Sequence, residues 1–247
     1  MFGKRNVATL VAEFLGTGIL TLVLLSVSRS TISIPYFIAM AVGLSIAMIT
    51  FALGRVSGSH LNPALTIGLA VARKVTVVKA VTFIAAQLLG AWAAYHLFVY
   101  YIKTPLPTNA GKYSGRVLIA EAVGTAIFTF AWASALYQRL SPALSGSVAG
   151  IGYMIGSISA STAAFGLLNP ALALGVHAWT WLTYVLGPVL GAIIGVNLYG
   201  QLFAESDNAV VAAKASPVVV KKTTTRTTKT TKKPAAKKSA KRTTKKK

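Results

Sequence analysis

The stretch Gly166-Leu-Leu-Asn-Pro-Ala-Leu-Ala-Leu-Gly175 decides the fold of this chain, and a partner stretch lies 107 residues earlier, Ser59-His-Leu-Asn-Pro-Ala-Leu-Thr-Ile-Gly68. Asn caps a helix because its side-chain oxygen accepts an N–H of the first turn. Pro at the next position is preset for that turn. The runs that follow, residues 64–72 and 171–178, are far shorter than the roughly 20 residues of a membrane span. The two stretches therefore predict half-helices, which membranes tolerate only where they line a cavity or are buried in protein.

Composition places the chain among membrane proteins that cross the bilayer several times. It has 247 residues, of which 54% are hydrophobic, and a mean hydropathy of +0.64. It has no cysteine, which excludes disulfides, thiol catalysis and cysteine-bound metal. No nucleophile, metal or paired-carboxylate pattern emerges either. We therefore expect no enzymatic activity, no metal and no cofactor.

Six long apolar segments and an internal repeat organise the first 203 residues. Ala12-Glu-Phe-Leu-Gly-Thr17 is echoed by Ala120-Glu-Ala-Val-Gly-Thr125, at nearly the same offset as the two Asn-Pro-Ala stretches. Three spans per half is an odd number, so the second half enters the membrane from the opposite face. The predicted fold is an all-α membrane protein with six transmembrane helices and two re-entrant half-helices, in an inverted 3+3 repeat of residues 5–102 and 113–203. The six predicted spans are 7–28, 36–54, 77–102, 115–137, 143–165 and 179–203.

The last residues, 204–247, differ in composition from the channel-like domain 1–203. Fourteen of the 25 Lys and Arg residues lie between Lys214 and Lys247, with few residues able to form a core. This tail is predicted to be disordered. The distribution of bases predicts that both termini are cytoplasmic. The tail is interpreted as a solvated polyelectrolyte or an anchor for anionic lipid, with nucleic-acid binding weighed below both.

The two motifs Asn62-Pro63-Ala64 and Asn169-Pro170-Ala171, with Ala12–Thr17, Ser57–Ala64 and Gly187-Pro-Val-Leu-Gly191, resemble the aquaporin family of major intrinsic proteins. The resemblance covers about residues 5–203. It implies half-helices that meet in mid-membrane, one pore per subunit and a homotetramer. It also implies that Glu13 and Glu121 hold backbone N–H groups of the re-entrant loops, and that His60 lies near the inner vestibule.

The chain departs from the family at the constriction outside the Asn pair. In the family an Arg normally follows the second Asn-Pro-Ala, but here that place is Leu172. By position, the resemblance assigns the remaining filter places to Val42, Ser157 and Gly166. These four residues match neither the water type nor the glycerol type of filter. We expect an opening that is wider than a water filter, mostly apolar and uncharged, unless Leu172 or Leu167 plugs it.

The predicted function is a passive channel for water and small uncharged solutes such as glycerol or urea. Two half-helix N-termini would place partial positive charge at the centre, where Asn62 and Asn169 would donate N–H groups to a passing molecule. That arrangement disfavours protons and cations. One alternative is a membrane-organising scaffold with an occluded pore and a working tail. Another is a proton-coupled transporter that uses Glu13 or Glu121, the acids within the spans.

Overall fold

The computed structural model describes residues 3–30, 34–107 and 113–204, and all regular structure in those ranges is helical. This confirms the predicted all-α fold class. The tail predicted to be disordered falls outside the described residues from position 205 onward. The helices are α1 (Lys4–Arg29), α2 (Pro35–Leu53), α3 (Pro63–Val71), α4 (Val77–Ile102), α5 (Gly115–Tyr137), α6 (Pro142–Ala160), α7 (Pro170–Gly175) and α8 (Gly187–Leu202), with a π-helical turn, Trp181–Leu186, before α8.

Six helical segments are long and apolar enough to cross a membrane: α1, α2, α4, α5, α6 and the π-helical turn together with α8. Their outer faces carry large apolar side chains that the chain itself does not cover. Leu44, Trp92 and Ile194 are each more than half exposed. Such faces are stable only against lipid or another subunit, so the chain is a multi-pass integral membrane protein.

Helix packing follows the repeat. The first and third long helices of each half pack together, α1 with α4 and α5 with α8. The second long helices, α2 and α6, pack against each other across the halves. Each half-helix packs against the third long helix of the other half, α3 on α8 and α7 on α4. The two halves are thus interlocked through their half-helices.

Glycines at matching positions permit the closest helix approaches. Gly43 on α2 and Gly150 on α6 are 107 residues apart in the sequence. A Cβ atom on either glycine would collide with the carbonyl oxygen of the other. Gly90 meets the carbonyl of Phe14 in the same way in the first half. Gly191 meets the carbonyl of Ala122 in the second half. These positions fix how near the helices lie around the bundle centre.

Each half-helix begins at the Pro of its motif, because Asn occupies the cap. The C-terminal bounds differ most from the sequence prediction in two helices. The second half-helix ends at Gly175, and His177 beyond it has a left-handed φ of 57°. The fifth long helix ends at Ala160 rather than at residue 165. Residues 161–169 are instead needed to lead the chain back to Asn169.

Candidate functional site: a channel path through the bundle

The Asn pair joins the two halves at the bundle centre. The Oδ1 of Asn62 accepts the N–H of Ala64 at 2.8 Å, and the Oδ1 of Asn169 accepts the N–H of Ala171 at 2.9 Å. The Nδ2 of Asn62 donates to the Leu168 carbonyl at 2.8 Å, and the Nδ2 of Asn169 donates to the Leu61 carbonyl at 2.9 Å. Each amide therefore caps its own half-helix and holds the loop of the other half. One N–H of each NH₂ group is left for a passing molecule.

The residue before each Asn is held in an unfavourable backbone conformation. Leu61 has φ 54° and Leu168 has φ 51°, although both are leucines. The left-handed region costs a residue with a side chain on the order of 1–3 kcal/mol where the surroundings enforce it. The surroundings here are hydrogen bonds on both sides of each leucine. Its carbonyl accepts from the opposite Asn, and its N–H donates to a buried carboxylate.

Glu13 and Glu121 supply those carboxylates, and they are the only acids among the described residues. Glu121 accepts the N–H of Leu167 at 3.0 Å and of Leu168 at 2.7 Å. Glu13 accepts the N–H of His60 at 3.0 Å and of Leu61 at 2.7 Å. Both side chains have no exposed surface. Their hydrogen bonds connect the re-entrant loops to α1 and α5.

Sequence reasoning missed part of the network around Glu13. The Nε2 of Gln87 on α4 donates to Glu13 at 2.8 Å and to the Thr66 hydroxyl at 3.1 Å. The Ser57 hydroxyl donates to Glu13 at 2.6 Å. A Gln within an apolar span was the available signal in the sequence. Glu13 thus has four donors from two segments, the loop before α3 and helix α4, whereas Glu121 has two.

His60 lies beside the Asn pair. Its Nδ1 is 3.2 Å from the Thr66 hydroxyl, and its ring packs edge-on against Phe83 and Trp132. It lines the small cavity beside Asn62. Trp132 also lines the neighbouring cavity at the end of the bundle.

Two vestibules open at opposite ends of the long helices. The first, here called the Leu167 vestibule, has a volume of about 520 Å³ and lies near the end of α1 and the start of α2. Its lining is apolar apart from Ser28 and Arg29. The second, the Arg139 vestibule, has a volume of about 360 Å³ and lies near the end of α2 and the start of α6. Both predicted faces of the membrane therefore have an entrance.

A central cavity between them touches both residues of the Asn pair and has a volume of about 10 Å³. That is about the space a single water molecule needs. Aromatic side chains, Phe128, Trp132 and Tyr153, limit it on one side. Polar groups at its wall include the Ser59 hydroxyl, which is buried and has no partner. The cavity is small and can hydrogen-bond its contents.

The four predicted filter residues are buried, and none of them lines the Leu167 vestibule or the central cavity. Val42 and Leu172 have no exposed surface, and Ser157 is 4% exposed. The Ser157 hydroxyl donates to the Gly166 carbonyl at 2.7 Å. Leu167, rather than Leu172, lines the vestibule. The expected width is therefore not present in this conformation, because these side chains pack into the core between the vestibule and the central cavity.

Tyr153 is a further residue that the sequence analysis missed. It lies on α6 one helical turn before Ser157, is buried, and lines the central cavity. Its hydroxyl donates to the Leu167 carbonyl at 3.0 Å, and its ring packs edge-on against Phe128. We call Val42, Tyr153 and Leu172 the closed layer. An aromatic residue one turn from a filter position was the only signal in the sequence.

Two interlocked halves, a cross-bonded Asn pair and vestibules at both ends define a membrane channel of the inverted-repeat class. Residues 3–199 match the family model described as "Major intrinsic protein", and the chain belongs to that family.

Known proteins with similar sequences are named as aquaporins. The chain is 31% identical to aquaporin AqpM of Methanothermobacter thermautotrophicus, with 81% of this chain and 95% of that protein covered. It is 31% identical to aquaporin TIP2-1 of Arabidopsis thaliana, with 85% and 89% covered. In fold it is similar to the aquaglyceroporin from Plasmodium falciparum, with a TM-score of 0.63, 20% identity, and 79% of this chain and 96% of that chain covered.

Proposed function

We propose that this protein is a passive channel for water and small uncharged solutes, and that it excludes protons and ions. The observation that carries the proposal is the Asn pair, in which each amide caps one half-helix and holds the opposite loop. A molecule at this point accepts N–H bonds from two fixed donors and meets the positive ends of the half-helices. A neutral solute can do so, whereas a cation is repelled.

Passage needs movement of side chains in the closed layer, since Val42 and Leu172 have no exposed surface. We retain Val42, Ser157, Gly166 and Leu172 as the proposed filter level. The transported molecule undergoes no chemical change, so the protein is not an enzyme. Its described lining carries no cluster of residues suited to a metal ion.

We further propose a homotetramer with cytoplasmic termini. The exposed apolar faces of the long helices leave room for contact with other subunits as well as lipid. The basic tail then lies at the cytoplasmic surface, where anionic lipid is the favoured partner and nucleic acid the less favoured one.

The decisive experiment is stopped-flow light scattering on proteoliposomes that contain the purified full-length chain. Water flux above that of protein-free liposomes, with unchanged proton leak, supports the channel. Glycerol and urea gradients then test the solutes. Absence of any water flux would favour the scaffold with an occluded pore. Uptake against a gradient, driven by a pH difference, would favour the proton-coupled transporter.

A further inference from the structure

One wall of the path between the Leu167 vestibule and the central cavity is aliphatic. On α2, Ile38 lines the vestibule and Ile46 lines the central cavity, and Val42 lies one turn from each. On α1, Leu24 lines the vestibule and Leu20 lines the central cavity. A solute that moves between the two cavities therefore passes side chains that can neither donate nor accept hydrogen bonds.

The groups best placed to replace a solute's hydrogen bonds are already engaged. The three consecutive carbonyls of residues 166–168 accept from the Ser157 hydroxyl at 2.7 Å, the Tyr153 hydroxyl at 3.0 Å and the Asn62 Nδ2 at 2.8 Å. A backbone carbonyl without a partner could accept a hydrogen bond from a passing hydroxyl or amino group. Here each keeps only its second lone pair.

The aliphatic wall and the engaged carbonyls together disfavour polar solutes and favour partly apolar ones. A polar group that loses water without gaining a partner is costly to transfer, whereas a methyl group gains from contact with aliphatic side chains. On the basis of the proposed channel function, we infer that the closed layer selects small neutral solutes in which a methyl group replaces a hydroxyl or amino group. Methyl-bearing amides and diols belong to this class.

Tyr153 is the specificity-determining residue in this scheme. Its hydroxyl occupies the Leu167 carbonyl, and its ring narrows the cavity beside the Asn pair. Tyr153→Phe keeps the ring and frees the carbonyl. The variant therefore offers an acceptor to polar solutes at the level where the parent offers little.

The test compares acetamide with urea, which are nearly the same size and differ by a methyl in place of an amino group. Swelling rates of proteoliposomes are corrected for protein-free liposomes, and water flux is recorded on the same samples. We expect the parent to pass acetamide at least about tenfold faster than urea, the factor that corresponds to about 1.4 kcal/mol. Tyr153→Phe should reduce this ratio severalfold by raising urea flux.

The matched control is Tyr199→Phe on α8, which also removes one hydrogen-bonded hydroxyl, in this case one that accepts from the Nε2 of Gln138 at 3.0 Å. It should leave the ratio unchanged. If water passes and urea passes at least as fast as acetamide, the inference is overturned but the channel function is not. The same holds if water passes and neither solute does. Absence of water flux overturns both. A parent preference that Tyr153→Phe leaves unaltered overturns the role of Tyr153.

Discussion

The amides of Asn62 and Asn169 each act both as acceptor and as donor. An aspartate in either place still caps the half-helix but cannot donate to the opposite loop. The negative charge of the aspartate would also lie near the carbonyl oxygen to which the Asn donates, that of Leu168 for Asn62 and that of Leu61 for Asn169. Exclusion of cations and stability of the loops therefore depend on the same NH₂ groups.

We predict that Asn62→Asp and Asn169→Asp admit cations. A carboxylate at the bundle centre offsets the partial positive charge of the half-helix ends. Ionic current in planar bilayers should rise severalfold above that of the parent, while water flux persists. Asn6→Asp, an exposed position on the first turn of α1, controls for added charge. Variants that conduct water but no current would place the cation barrier elsewhere.

The two buried glutamates differ in how many donors they satisfy. Gln in place of Glu retains one acceptor oxygen and turns an NH₂ group toward a former donor. Hydrogen bonds to charged groups contribute about 1.5–3 kcal/mol each. Glu13 has four donors and Glu121 has two.

We therefore expect both Glu13→Gln and Glu121→Gln to lower the midpoint of thermal unfolding in detergent, and Glu13→Gln to lower it further. The pair serves as its own control, because the two substitutions are chemically identical. A loss of transport with unchanged unfolding midpoints would contradict a loop-holding role. It would instead indicate proton transfer through these carboxylates.

At the scale of elements, the crossing of α2 and α6 joins the two halves. Gly43 and Gly150 leave no space for side chains there, since a Cβ on either meets the other's carbonyl. The half-helices depend on this crossing, because it sets the distance between the halves that the Asn pair spans. A substitution at the crossing should therefore alter the geometry of the Asn pair, although the substituted residue does not line the pore.

Gly150→Leu is predicted to destabilise the protein by more than the roughly 1–3 kcal/mol typical of overpacking, because backbone rather than side chains must move. Yield of monodisperse protein and its unfolding midpoint provide the measurement. Ser147→Leu, exposed on the same helix, adds the same side chain toward the outside and should be tolerated. Equal tolerance of both substitutions would argue against a close crossing.

At the scale of the whole molecule, charge is concentrated in the tail. Fourteen bases lie between Lys214 and Lys247, while the described residues contain two acids. Each Lys or Arg in such a cluster contributes about 1 kcal/mol of binding free energy near an anionic surface. The channel domain has its own packed core, so its permeability should not depend on the tail.

Deletion of residues 214–247 is accordingly expected to leave water flux per channel unchanged. A peptide of residues 204–247 should float with phosphatidylserine vesicles, stay in solution with phosphatidylcholine vesicles, and release at high salt, because charges are screened within about 10 Å at 0.1 M. Salt-resistant binding would disagree with an electrostatic contact. Preferential binding to duplex DNA in competition would favour the nucleic-acid alternative.

Local sequence was sufficient for the helices, the repeat and the Asn pair. Asn followed by Pro starts a helix through its own neighbours, and a membrane span is recognised by length and hydrophobicity. The matched stretches around Glu13 and Glu121 reveal an inverted repeat because an odd number of spans separates them. Family resemblance then suggested which acids hold the loops.

Tertiary structure alone decided what surrounds the path. Gln87 reaches Glu13 across 74 positions, and Tyr153 reaches the Leu167 carbonyl from a different segment. Val42 and Leu172 were expected at an opening that is wide unless a leucine plugs it, and both are fully buried. Such contacts depend on how each helix is rotated and how closely helices cross, which packing of the whole bundle sets. Residue type at a position fixes the chemistry available there, but not the space left around it.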